Sequence, residues 1–120
     1  MDVTIQLRAI KKGDDVILHL KDSEGHEHDK TITTLVNPGS KVTWTLMENS
    51  DIIEITGISP KNGSANIFST PPQPVDGSKD WQAIVCDEQS GKESYNIDFK
   101  YKDGKDYRDD PDAEINPPGK

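Results

Sequence analysis

Three histidines, His19, His26 and His28, flank one turn and are the side chains whose type and spacing could do the most chemistry. Neutral imidazole is a good ligand for zinc, nickel or copper(II). The turn reads Asp22-Ser23-Glu24-Gly25 and leads into a polar strand through His28 and Ile32. A loop with an even number of residues would aim all three imidazoles at one face. A loop at Glu24-Gly25 alone would pair Lys21 with His28, whereas a longer even loop would pair His19 with His28. Glu27 and Asp29 are expected nearby but pointing elsewhere. His19 lies opposite Val16, Leu18 and Leu20, so the cluster should be wet, and solvated surface histidines are the plainer expectation. A divalent metal such as zinc is the only cofactor these residues suggest, and otherwise none is expected.

Other reactive types lack the company that chemistry needs. Cys86 is the single cysteine. It has no local histidine to make a thiolate, and Asp87 and Glu88 would oppose one, so a structural thiol is expected. Asp109, Asp110, Asp112 and Glu114 could offer oxygen ligands to calcium, but they lack the spacing of a helix-loop-helix calcium loop. No Gly-rich phosphate loop, nucleophile elbow, paired metal-ligand cysteines or His-Glu-x-x-His helix is present. The chain is therefore expected not to be an enzyme.

The elements that would carry these residues read as strands. Tyr95, Ile97, Phe99 and Tyr101 alternate with Asn96, Asp98, Lys100 and Lys102, which puts the large apolar side chains on one face. Asp103-Gly104 follows, a tight reversal, with a return strand through Tyr107 to Ile115. Val3, Ile5 and Leu7 make a first strand, and Lys12-Gly13-Asp14-Asp15 turns it into a second with Val16, Leu18 and Leu20 inward. Val42, Trp44 and Leu46 share another face, Ile53 and Ile55 continue the pattern, and Trp81, Ala83 and Val85 line a central strand. Trp44 and Trp81 are expected in the core. From Ser59 to Lys79 the pattern breaks, and Pro71, Pro72 and Pro74 disfavour an interior strand. This stretch reads as a long loop with at most Ile67-Phe68 as strand; an ordinary crossover between two sheets is the plainer expectation, and a binding surface with Ile67, Phe68 or Val75 exposed is the functional one.

The spacing of turns predicts an all-β, single-domain antiparallel β-sandwich of seven or eight strands over residues 1–115, with a flexible tail at 116–120. Hydrophobic residues are 31% and charged residues 30% of the chain, which suits a lean two-layer core rather than a helical bundle. The formal net charge of −8 and a pI near 4.7 oppose nucleic-acid binding and attachment to anionic membranes. No window is long and apolar enough to insert in a membrane. The N-terminus has no basic or apolar leader, so as written the protein is expected in the cytoplasm. A chain trimmed of a leader would read the same, and would be periplasmic or secreted.

Val36-Asn37-Pro38-Gly39-Ser40-Lys41-Val42-Thr43-Trp44 resembles the strand-turn-strand entry of cupredoxin-like domains. Tyr95 to Ile115 is similar to the final hairpin of immunoglobulin-like or cupredoxin-like sandwiches. Asp110-Pro111 and the strand after it also resemble small bacterial proteins of the DP-EP kind, with Asn116-Pro117 where that family has Glu-Pro. The resemblance implies an immunoglobulin-like or cupredoxin-like sandwich without copper. A blue-copper site needs two histidines, a cysteine thiolate and usually a methionine. Here Asp87-Glu88-Gln89-Ser90-Gly91 follows Cys86, no histidine lies beyond His28, and the methionines are Met1 and Met47. The expected function is that of a small non-enzymatic binding or accessory module acting on a protein partner. The alternative is a divalent-metal binder through His19, His26 and His28.

Overall fold

Alternation of inward apolar and outward polar residues builds most of the chain into strands. The computed structural model describes residues 2–29, 32–48, 50–61, 67–87, 91–109 and 111–115, with the backbone only at Ala113 and Ile115. Strand β1 (Val3–Lys12) buries Val3, Ile5, Leu7 and Ala9 and turns at Gly13, whose φ of 62° suits a residue without Cβ. Strand β2 (Asp15–Asp22) returns beside it, and the short β3 (Glu27–Asp29) follows. The chain then crosses to the opposite layer as β4 (Thr33–Val36) and comes back as β5 (Lys41–Leu46). It continues through β6 (Ile52–Pro60), β7 (Phe68–Pro74), β8 (Trp81–Val85) and β9 (Lys92–Tyr101). Strands β10 (Asp106–Asp109) and β11 (Asp112–Ile115) end the described chain.

The fold is all-β, in two sheets. One runs β3-β2-β1-β5-β8-β7. The other is centred on β9, which pairs with β6, β10 and β11, and β4 lies beyond β11. Both sheets bury their inner faces in one core, from Val3, Leu18 and Trp44 on one side to Tyr95, Ile97 and Phe99 on the other. At its centre Trp44, Phe68 and Tyr95 meet edge to face, with ring centroids 5.5 to 6.4 Å apart.

The closing hairpin forms where Asp103-Gly104 predicts it. Gly104 has a φ of 83°, and the Tyr101 amide donates to the Lys105 carbonyl at 3.0 Å. The return strand keeps one register against β9 from Asp106 to Glu114 but is broken near Pro111, whose missing N–H interrupts the ladder.

Three expectations are corrected. The described residues hold eleven strands, not seven or eight, because the return strand splits, the polar strand expected after Gly25 divides into β3 and β4 in different sheets, and the proline-rich Phe68–Pro74 is itself a strand. The sandwich is not purely antiparallel: β1 pairs β5, and β11 pairs β4, in parallel. The chain visits the other layer between those partners, so their relative direction is set by the crossover and not by a hairpin. The stretch 59–79 is not one long loop. Ser59 and Pro60 end β6, and Phe68–Pro74 forms an edge strand on β8 with two breaks in register. Prolines are tolerated there because an edge strand need not donate on both sides. Ile67 and Phe68 are buried and Val75 half-buried, so this stretch does not present them outward as a binding surface.

Candidate functional site

The β2–β3 hairpin positions all three histidines. The Asp22 amide donates to the His26 carbonyl at 2.9 Å, so the loop is Ser23-Glu24-Gly25, an odd number, with Gly25 at a φ of 98°. His19 therefore faces Asp29 and Lys21 faces Glu27, while Leu20 faces His28. Paired residues in an antiparallel ladder project to the same side. The even-loop condition fails, and His19 is parted from His26 and His28 by the sheet itself. Among the described residues no group of three His, Cys, Asp or Glu side chains is gathered in a metal-holding arrangement.

His19 has different company. Its Nδ1 is 2.7 Å from Asp29 Oδ1 and its Nε2 is 2.7 Å from Glu27 Oε2. The carboxylates expected to point elsewhere thus bracket the ring. Hydrogen bonds to Asp29 and then Glu27 raise the His19 pKa above its ordinary 6.5, against desolvation and the nearby Arg8. The bonds to His19 in turn hold both carboxyls below their usual range. His28 is exposed, and His26 Nδ1 lies 3.0 Å from Asp22 Oδ2.

Three acidic residues prove structural. Asp22 is buried and accepts from the amides of Glu24 at 3.0 Å and His26 at 2.9 Å. It also accepts from the Thr34 hydroxyl at 2.8 Å, which ties β2 to β4 in the other sheet. Glu93 is 1% exposed and accepts from the Ile67 amide at 2.9 Å. Burial pushes its carboxyl up, and the Ile67 amide partly offsets this. Asp109 accepts from the Leu18 amide at 2.6 Å, reaching from one sheet to the other. A signal for two of them lies in the sequence. Asp22 is in phase with Val16, Leu18 and Leu20, and Glu93 is in phase with Tyr95, Ile97 and Phe99. No local pattern marks Asp109.

The remaining candidates are held apart. Cys86 is half-buried against the core, and its amide donates to the Ile67 carbonyl at 2.7 Å. Asp112 accepts from the Ser94 hydroxyl at 2.6 Å, Glu114 sits opposite Lys92, and Asp110 lies outside the described residues. Trp44 is wholly buried, as expected, whereas Trp81 is half-buried and lines a 300 Å³ cleft with Glu54, Thr56 and Pro74. An apolar groove of 210 Å³ runs between Ile84, Thr70 and Pro74, with Lys41 its charged lining residue. The cleft beside Trp81 also holds Ser78, Lys79 and Asp80, but the Ser78 hydroxyl is engaged, donating to the Val75 carbonyl at 3.2 Å and accepting from the Asp80 amide at 3.1 Å.

The sequence matches no protein-family model and no curated protein. The fold has a solved counterpart. It is similar to the crystal structure of the inclusion body protein PixA from Burkholderia cenocepacia, with a TM-score of 0.51 at 10% identity. The likeness covers 98% of this chain and 94% of PixA, so it concerns the whole sandwich-like fold and not one motif. At that identity it speaks for the fold alone. No helix among the described residues is long and apolar enough to cross a membrane.

Proposed function

We propose that this chain is a non-enzymatic association module of the immunoglobulin-like or cupredoxin-like kind, and that its first partner is a second copy of itself. What carries the non-catalytic part is how the ionisable side chains are engaged. Asp22 and Glu93 fasten backbone amides, Asp109 joins the two sheets, and His19 is bracketed by carboxylates on both ring nitrogens. An enzyme needs such groups to converge on a hollow beside a nucleophile or an electrophilic stabiliser. Here the carboxylates of Asp22, Glu93 and Asp109 bind backbone amides, and His19 binds the side chains of its neighbouring strand. The choice of partner is supported by the fold's likeness to an inclusion body protein, since an inclusion body is a dense deposit of protein. A sandwich offers two kinds of surface for this, its outer faces and its strand edges. Ile84 on β8 and Ile53 on β6 are exposed apolar residues on such surfaces.

Sedimentation velocity over about a hundredfold range of concentration tests the reading, because mass action drives association. The expected outcome is a sedimentation coefficient that rises with concentration. A monomer throughout, at low and high salt alike, overturns it.

A further inference from the structure

We propose that His19 is a proton-operated latch that holds the edge strand β3 on β2, and that loss of its proton frees the outer edge of β2. Strand β3 is Glu27-His28-Asp29, and all three residues are exposed. It has no apolar side chain to pack, so its short backbone ladder to β2 and its cross-strand side chains are what hold it. His19 is well covered, with a side-chain exposure of 14%, and both ring nitrogens lie 2.7 Å from a β3 carboxylate oxygen. Neutral imidazole has one N–H and one lone pair. It could donate to one of these carboxylates and would turn its lone pair on the other. The imidazolium donates to both, so this geometry is that of the protonated ring.

Charges reach the ring from each strand around it. Arg8 on β1 is its cross-strand partner and opposes the added proton. Lys21 shares its face, and Lys12 on β1 reaches Asp29 at 3.6 Å. Asp109 of β10 lies across β2, bonded to the Leu18 amide, and His28 projects to the face opposite His19. The folded pKa of His19 lies above its ordinary 6.5. Its contribution is therefore complete below 6.5 and is lost as pH rises through the raised value. Glu27 and Asp29 are held below 4.5 and 3.8, so their contributions are complete above those values and fail as pH falls through the lowered ones. The latch has an acid limit and an alkaline one.

What lies under the latch gives its opening a consequence. The Asp22 amide points outward to His26, so the amides of Leu20, Leu18 and Val16 point outward too. The Asp15 carboxylate caps the Val16 amide at 2.9 Å, and Asp109 caps that of Leu18. Strand β3 covers the rest of the edge. Use of the released edge for strand addition by a second copy rests on the association reading; the latch itself does not.

Amide exchange on the full chain, read residue by residue by NMR as protection factors, tests the latch. Because Asp22 and His26 form a hydrogen-bonded pair, Leu20 and His28 form the next one and report on β3. Between about pH 6 and about pH 9 their protection should fall about three- to tenfold in the native chain. His19→Gln should show low protection at both values, and Asp29→Asn should show the same loss through a different side chain. Protection at Ile97 and Phe99 should stay unchanged, which separates release of β3 from unfolding. A native chain with equal protection at both values, or a His19→Gln chain that keeps the native response, overturns the latch. Sedimentation of the same samples separates the two ideas: exchange that rises without a gain in mass keeps the latch and overturns the use of the edge in association.

Discussion

At the level of single residues, Trp44 and Tyr95 make a polar contact inside the core. The indole N–H donates to the Tyr95 hydroxyl at 3.2 Å, and both side chains are wholly buried. Burial pushes the Tyr95 phenol well above its ordinary pKa, so it stays neutral and can accept. Tyr95→Phe keeps the ring and leaves a buried indole N–H without its acceptor, a change that costs about 1–3 kcal/mol. Urea unfolding should show a lower midpoint with an unchanged slope; an equal midpoint would mean that the bond contributes nothing net. Arg108 and Asp98 are closer, at 2.6 Å, yet both are solvent-accessible, so screening leaves that pair little weight. Burial, not distance, decides which contact stabilises more.

At the level of elements, the strand edges are closed by different means. Strand β3 is held by charge, as argued above. Strand β7 is closed by proline: Pro71, Pro72 and Pro74 remove three donors, and two breaks in register bend the strand. Replacing Pro71 and Pro74 together by Thr restores amides and β propensity on an edge. Light scattering should then show aggregation on warming increased by at least about twofold over the native chain. Unchanged scattering would mean that another feature closes this edge.

For the whole molecule, net charge opposes the self-association proposed above. A net charge of −8 on a chain of 120 residues opposes close approach of two copies. Salt shortens the reach of that repulsion from about 10 Å at 0.1 M to about 3 Å at 1 M. Self-association should therefore tighten as salt rises, by about threefold or more in dissociation constant between about 0.1 M and about 1 M. Sedimentation equilibrium at several salt concentrations measures this. An association that weakens with salt would show instead that the contact is made by opposite charges.

Local pattern by itself determined the all-β class, the inward faces of β1, β2, β5, β8 and β9, and the closing turn at Asp103-Gly104. Period-two alternation and the positive φ of glycine are properties of a few adjacent residues, and they need no partner to be read. Tertiary structure alone decided the parallel pairing of β1 with β5 and of β11 with β4, and the edge position that lets a proline-rich segment be a strand. It also decided the odd loop at Ser23-Glu24-Gly25, which separates His19 from His26 and His28 and gives its ring to Glu27 and Asp29. Register shifts of one residue reverse which face a side chain joins, and only the pairing of complete strands sets that register.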